Sequence, residues 1–123
     1  MDVWKWAYRG GLWSAAQQAA ARSLTVLAYH RVAPDDPSAL RGLHETLCVR
    51  EADFGAQMEL LARHFQLVSG IDLVRWIEGR GSLPRHPALV TFDDGYRDNL
   101  TCARPVLERL GIPCVIFLAT DYI

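Results

Sequence analysis

The feature that most constrains the fold is an alternation of short apolar runs with segments of helical periodicity. The runs 24–32, 65–68, 88–92 and 112–119 are rich in β-branched, aromatic and aliphatic residues. Between them, apolar residues recur every three or four positions. Nearly continuous apolar strands separated by helices are typical of a parallel sheet covered on its faces, as in doubly wound folds and (β/α) barrels. The sequence therefore predicts an α/β fold.

Two of the intervening segments predict helices with clear apolar faces, since residues three and four apart share one face of a helix. The face within 50–65 consists of Phe54, Met58, Leu61 and Phe65. The face of a later helix consists of Leu100, Ala103, Leu107 and Leu110. Pro105 is expected to kink that later helix or to begin a second piece of it.

A third, shorter helix is predicted from its start and stop signals. Ser69 and Asp72 stand three apart, which is the spacing of a capping box. Leu73 and Trp76 follow on the predicted helix, and Gly79 is expected to end it.

Composition excludes several classes of protein. Half of the 123 residues are hydrophobic and 22% are charged, as in a folded soluble domain. The formal net charge of -1 provides no basic field, so we expect no nucleic-acid partner. No apolar run reaches the length of a transmembrane segment.

The three cysteines are expected to be unpaired core residues. Cys48, Cys102 and Cys114 are odd in number, show no Cys-x-x-Cys spacing and lie in or beside apolar runs. This usage favours core thiols in a reducing compartment over cysteines that form a disulfide or bind a metal.

The amino-terminal segment 1–23 predicts an Ala-rich amphipathic helix ahead of a domain over 24–123. The uncharged stretch 10–21 lacks the run of about 7 to 15 apolar residues that an export signal needs. We therefore expect no signal peptide, which leaves the location open, with cytoplasmic as the default.

The chemistry is expected where the strand 88–92 ends. In parallel folds, ligands bind at the carboxyl ends of the strands. Asp93 and Asp94 leave the strand there, and Gly95 can take the positive φ of a sharp turn. A bound cation would offset the repulsion between the two carboxylates. Alternatively, one of them caps the following helix.

Other residues could line the same pocket. Tyr29 and His30 fall at the end of the first strand, which places His30 at the rim that also carries Asp93. Tyr96 directly follows the Asp-Asp-Gly turn and is assigned to the pocket with Gly95. For His30, a structural role against a backbone carbonyl is an equal alternative.

The other histidines, His44, His64 and His86, are expected to face solvent. No two histidines stand three or four apart, so no helical pair of histidine ligands exists in the sequence. Asp94 alone cannot hold a catalytic metal, which usually takes three protein ligands.

One segment carries a specific family resemblance. The run 88–99 reads Ala-Leu-Val-Thr-Phe-Asp-Asp-Gly-Tyr-Arg-Asp-Asn, and Pro105-Val-Leu and the run 111–118 come after it. Together with Leu27-Ala-Tyr-His-Arg-Val, these residues resemble the polysaccharide deacetylase family, which is carbohydrate esterase family four with the NodB-homology domain. The resemblance covers about residues 24 to 123.

The resemblance implies a distorted (β/α) barrel that removes acetyl groups from N-acetylated sugars of a polysaccharide or glycoconjugate with a divalent metal, usually zinc. Carried over to this sequence, Asp93 is the catalytic base and Asp94 a metal ligand. In the family the metal polarises the acetamide carbonyl and activates a bound water, whose proton the base accepts.

The sequence departs from the family after residue 119. The family's two metal-binding histidines, its arginine motif and its acid motif come after the corresponding strand, and they are not in this sequence. We therefore expect a partial barrel, the amino-terminal part of a deacetylase domain. A non-catalytic carbohydrate-binding or relic fragment stays open as the alternative.

Overall fold

The computed structural model describes residues 23–36 and 47–122. In this part of the chain, strands alternate with helices. The strands are β1 (Thr25–Tyr29), β2 (Arg31–Ala33), β3 (Cys48–Arg50), β4 (Gln66–Leu67), β5 (Pro87–Asp94) and β6 (Cys114–Leu118). The helices are α1 (Glu51–His64), α2 (Gly70–Ile77) and α3 (Arg104–Leu110), with a π-helical turn over Asn99–Ala103 and a 3₁₀ turn over Thr120–Tyr122.

Strand β5 is the centre of a four-stranded parallel sheet in the described part of the chain. It pairs with β1 along one edge, with Leu27 opposite Val90. Along its other edge it pairs first with β4 and then with β6. The backbone N–H and C=O groups of β5 are therefore bonded on both sides, and its first six residues are buried. The predicted parallel α/β arrangement is confirmed.

The predicted first strand is divided in two. The apolar run predicts a single strand over 24–32, but the chain bends at His30 and β2 joins a second, two-stranded parallel sheet with β3. The bend takes the chain away from β5 just after Tyr29, the last residue of β1 paired with it. His30 thus lies between two sheets and not within a strand.

Helix α1 matches its sequence pattern closely. Phe54, Met58 and Leu61 are buried, as their spacing predicts. Phe54 packs edge-on against the ring of Tyr29, with centroids 5.2 Å apart, and also contacts Phe92 at 5.9 Å. This aromatic cluster joins α1 to the ends of β1 and β5, which are the strands that carry the candidate site.

Helix α2 begins with the capping box predicted from the sequence. The Ser69 hydroxyl accepts a hydrogen bond from the Asp72 backbone N–H at 3.2 Å. The Asp72 carboxylate accepts from the Ser69 backbone N–H at 3.0 Å and from its hydroxyl at 2.6 Å. These two hydrogen bonds, that from the hydroxyl foremost, lower the pKa of Asp72 below its usual value.

The helix after β5 departs from the predicted apolar face. Residues 99–103 form a π-helical turn, and Pro105 lies in the first turn of α3, in agreement with one of the two predicted possibilities. A π turn bonds residue i to i+5 and rotates the side chains relative to an α-helix. Leu100 is therefore exposed, while Asn99 takes a buried position in its place. The expectation for Leu100 was wrong for this reason.

Strand β6 presents an apolar surface. Ile116, Phe117 and Leu118 are exposed. Among the described residues, β6 pairs with β5 along one edge, and its other edge has no strand partner. A groove of about 720 Å³ lies between β6 and α3, with Leu107, Ile116 and Leu118 in its lining. A strand edge with exposed apolar side chains is a template for association with another chain.

Two predictions fall outside the described residues: the Ala-rich helix, of which residues 1–22 are not described, and the solvent position of His44. The three cysteines are free, and Cys102 is buried, as expected. Burial also raises the pKa of the Cys114 thiol.

Replacement of Phe54 by Ala should destabilise the protein, because it removes the ring that joins α1 to Tyr29 and Phe92. Truncation of a buried Phe costs about 3–5 kcal/mol. We expect a loss of this size in the free energy of unfolding, measured by urea denaturation. Leu60→Ala, at an exposed position on the same helix, is the control and should change stability by less than about 0.5 kcal/mol. Equal effects from both would contradict the packing described.

The 123-residue chain by itself should self-associate through β6. Light scattering or size-exclusion chromatography should show species larger than a monomer, and Phe117→Lys should raise the monomer fraction because a charge on an edge strand opposes pairing. Ile71→Lys, at an exposed apolar position on α2, is the matched control and should leave association unchanged. A wholly monomeric unmodified chain would refute this prediction.

Candidate functional site

The two adjacent aspartates lie at the carboxyl end of β5, where the strand turns sharply. Asp93 and Asp94 are opposite Phe117 and Leu118 of β6. Asp94 has a φ of 68° and Gly95 a φ of 69°, so two successive residues take the left-handed conformation. Aspartate tolerates this conformation better than most residues, yet it still costs free energy. Asp94 is exposed to solvent.

Glycine is favoured at position 95 for a second reason. A Cβ atom there would lie 2.5 Å from the Leu118 side chain. The backbone conformation therefore favours glycine at this position, and a larger residue would also require the exposed Leu118 side chain to move.

His30 lies beside Asp93 at the same rim of the sheet. Its Nε2 is 3.9 Å from Asp93 Oδ2, and the two side chains are 34% and 38% exposed. The parallel pairing of β1 with β5 brings both residues to the same rim, because Tyr29 is opposite Phe92, and His30 and Asp93 are the residues that follow this last pair. The pair is accessible to solvent and to a ligand.

Tyr29 is held by packing and by one hydrogen bond. Its ring contacts Phe54 and Phe92, and its hydroxyl donates to Gln57 Oε1 at 2.7 Å. Burial raises the pKa of the Tyr29 phenol above its usual value. Tyr29 also lines a small pocket of about 210 Å³ together with His30 and Cys48. Tyr29 therefore has both a packing role and a position at the pocket.

Sequence reasoning missed a polar network next to these residues. Arg31 binds the carboxylate of Asp98, and its guanidinium lies over the ring of Tyr96 at 4.8 Å from the ring centroid. Tyr96, predicted to line the pocket, is thus in contact with Arg31. The two ionic partners are 67 residues apart in sequence, so no local pattern could have connected them.

The described residues do not assemble a metal site. No group of three or more His, Cys, Asp or Glu side chains in residues 23–36 and 47–122 is arranged to hold an ion. Asp94 could contribute one carboxylate oxygen, whereas catalytic metal sites usually use three protein ligands.

Elsewhere, His64 is exposed as predicted, and His86 is only partly exposed, with a positive φ of 50°.

No helix in the described part of the chain is long and apolar enough to cross a membrane.

Comparisons with known proteins agree on one family. No protein-family model matches the sequence. The poly-beta-1,6-N-acetyl-D-glucosamine N-deacetylase of Staphylococcus epidermidis is 30% identical over 109 residues, which make up 82% of this chain and 37% of that protein. The chain thus spans less than half the length of this curated relative.

Solved structures show the same fold. A de-N-acetylase from Aggregatibacter actinomycetemcomitans matches with a TM-score of 0.69 at 22% identity, over 80% of this chain and 38% of that one. The polysaccharide deacetylase BC0361 from Bacillus cereus matches with a TM-score of 0.61 at 30% identity, over 81% of this chain and 30% of that one. Sequence and fold agree with the resemblance to the polysaccharide deacetylase family: over about 80% of its length, this chain is similar to a part of these proteins and has the arrangement of a partial (β/α) barrel domain.

Proposed function

We propose that this chain is part of a metal-dependent deacetylase that hydrolyses the amide bond of N-acetylated sugars in a polysaccharide or glycoconjugate. The observation that carries the proposal is the Asp93-Asp94-Gly95 turn, in which a strained backbone presents two carboxylates at the carboxyl end of β5 beside His30. The names of the matched proteins support the reaction class, since they are N-deacetylases and polysaccharide deacetylases.

Asp93 is proposed as the general base. Its carboxylate is partly exposed, so a water molecule can reach it at the rim. A carboxylate in this position can accept the proton of the water that attacks the acetamide carbonyl. The imidazole of His30, 3.9 Å away, can share that proton through a small movement or one water molecule.

Asp94 is proposed as one ligand of a divalent metal, with zinc as the expected ion. Because the described residues offer no three-ligand group, the remaining ligands would come from outside the described part of the chain. Asp94 is exposed, so its carboxylate is accessible to a metal ion and to such ligands.

Replacement of Asp93 by Asn should abolish deacetylation, because the amide cannot accept the proton. General-base catalysis contributes about 100- to 10,000-fold, and we expect a loss of this size in acetate release from an N-acetylglucosamine oligomer by the full-length protein. Asp53→Asn, at an exposed position on α1, is the matched control and should retain full activity. Retained turnover in Asp93→Asn would reject the assignment.

Two other results would reject the enzymatic proposal as a whole. If the full-length protein binds the oligomer without releasing acetate, with and without added zinc, the protein is a carbohydrate-binding product. If it neither binds nor hydrolyses the oligomer, the substrate class is wrong.

Replacement of Asp94 by Asn should weaken zinc binding by the full-length protein at least about tenfold in isothermal titration calorimetry, because it removes a charged ligand. Asp53→Asn should leave the affinity unchanged. The 123-residue chain by itself should bind zinc only weakly and should release no acetate. Tight zinc binding by that chain, or turnover that Asp93→Asn removes, would contradict this expectation.

A further inference from the structure

A network of polar contacts joins the segment after β1 to the turn after β5. Arg31 donates from Nε to Asp98 Oδ2 at 2.8 Å, and its Nη2 lies 2.7 Å from the same oxygen. The other carboxylate oxygen, Asp98 Oδ1, accepts a hydrogen bond from the Val32 backbone N–H at 3.4 Å. One carboxylate therefore binds both the side chain and the backbone of the residues that follow His30.

Asn99 extends the network to His30 itself. In the orientation of its amide that satisfies both neighbours, the side-chain nitrogen of Asn99 donates to the His30 carbonyl oxygen at 3.0 Å and to Asp98 Oδ1 at 3.3 Å. Asn99 is buried, in the position from which the π-helical turn displaces Leu100. The backbone of His30 is thus held from the side of β5.

The backbone pairing between β1 and β5 does not by itself fix the position of His30. The paired residues of β1 and β5 end at Tyr29 and Phe92, and the chain bends at His30 before β2 begins. The 3.9 Å separation between His30 Nε2 and Asp93 Oδ2 therefore depends on contacts beyond the ladder.

Burial distinguishes the Arg31–Asp98 pair from ordinary surface ion pairs. The side chains of Arg31 and Asp98 are 31% and 12% exposed. In contrast, those of Arg50 and Asp53 are 59% and 53% exposed, although they also form an ion pair. Exposed pairs contribute little, whereas removal of one partner from a sheltered pair leaves a charge without its counter-ion.

We propose that Arg31 and Asp98 are positioning residues that hold the His30 imidazole against the carboxylate of Asp93. The proposal rests on the proposed function, because it assigns these residues a part in the deacetylation. They act through the backbone that follows His30, and the ring of Tyr96 supports the guanidinium of Arg31.

The first test is kinetic and uses the full-length protein. Asp98→Asn should lower kcat for sugar deacetylation at least about tenfold, since a displacement of about 1 Å at a reacting group can cost about 100-fold. KM should change by less than about twofold, because substrate binding is not altered. Asp98→Glu keeps the carboxylate and should recover part of kcat, and the control Asp53→Asn should match the unmodified protein.

The second test does not depend on activity. The ¹H–¹³C NMR signals of the His30 imidazole should move in Asp98→Asn toward the positions they take in Asp93→Asn, because the first change displaces the ring from the Asp93 carboxylate and the second removes that carboxylate. Arg31→Lys keeps the charge but loses the two-nitrogen contact, and it should move the signals in the same direction. The control Asp53→Asn should leave them in place.

The outcomes separate the two proposals. If Asp98→Asn and Arg31→Lys leave the His30 signals where Asp53→Asn leaves them, the positioning role is overturned, whatever the activity. If the unmodified protein does not deacetylate the sugar but the signals move as expected, the positioning of His30 holds and the proposed function fails. A loss of kcat in Asp98→Asn with unmoved signals would also overturn the positioning role.

Discussion

The parallel pairing of β5 on both of its edges is the constraint on which the rest of the structure depends. A buried strand must have its backbone groups bonded on each side, and β1 along one edge with β4 and β6 along the other supply these partners. Because all the pairs are parallel, the carboxyl ends of the strands lie at one rim of the sheet. The candidate site follows from the pairing of β1 with β5, since these two strands bring His30 and Asp93 to the same rim.

The rim combines a strained backbone with a rigid support. Asp94 and Gly95 both lie in the left-handed region, which glycine adopts readily and which aspartate keeps at a cost in free energy. The support comes from the aromatic cluster of Tyr29, Phe54 and Phe92 beneath the rim. The packing of this core thereby offsets the free-energy cost of a turn that places two carboxylates at the surface.

The exposed face of β6 relates the described part of the chain to the longer proteins that it matches. The chain corresponds to 30–38% of the length of the deacetylases from S. epidermidis, A. actinomycetemcomitans and B. cereus. In a (β/α) barrel, each strand is paired on both sides and each apolar face is covered. The surface at Ile116, Phe117 and Leu118 is of the kind that further strands and helices of such a domain would cover.

Much of this protein is determined by its sequence alone. The period of the apolar residues predicts α1 and its buried face, the Ser69–Asp72 spacing predicts the start of α2, and the apolar runs predict β5 and β6, because each of these depends on local geometry. The residues Asp93-Asp94-Gly95 likewise indicate a sharp turn at a strand end. The resemblance to polysaccharide deacetylases can also be recognised from the sequence, and the comparisons confirm it.

Only the tertiary structure decided the contacts between distant segments. The bend at His30, the exposure of Leu100 and the binding of Arg31 by Asp98 all depend on how β1 and the turn after β5 lie against each other. No sequence pattern records a contact between residues 67 positions apart, since such a contact is set by strand register and packing and not by local propensity. The sequence therefore determines which groups reach the rim, and the packing of the sheet decides which of them meet.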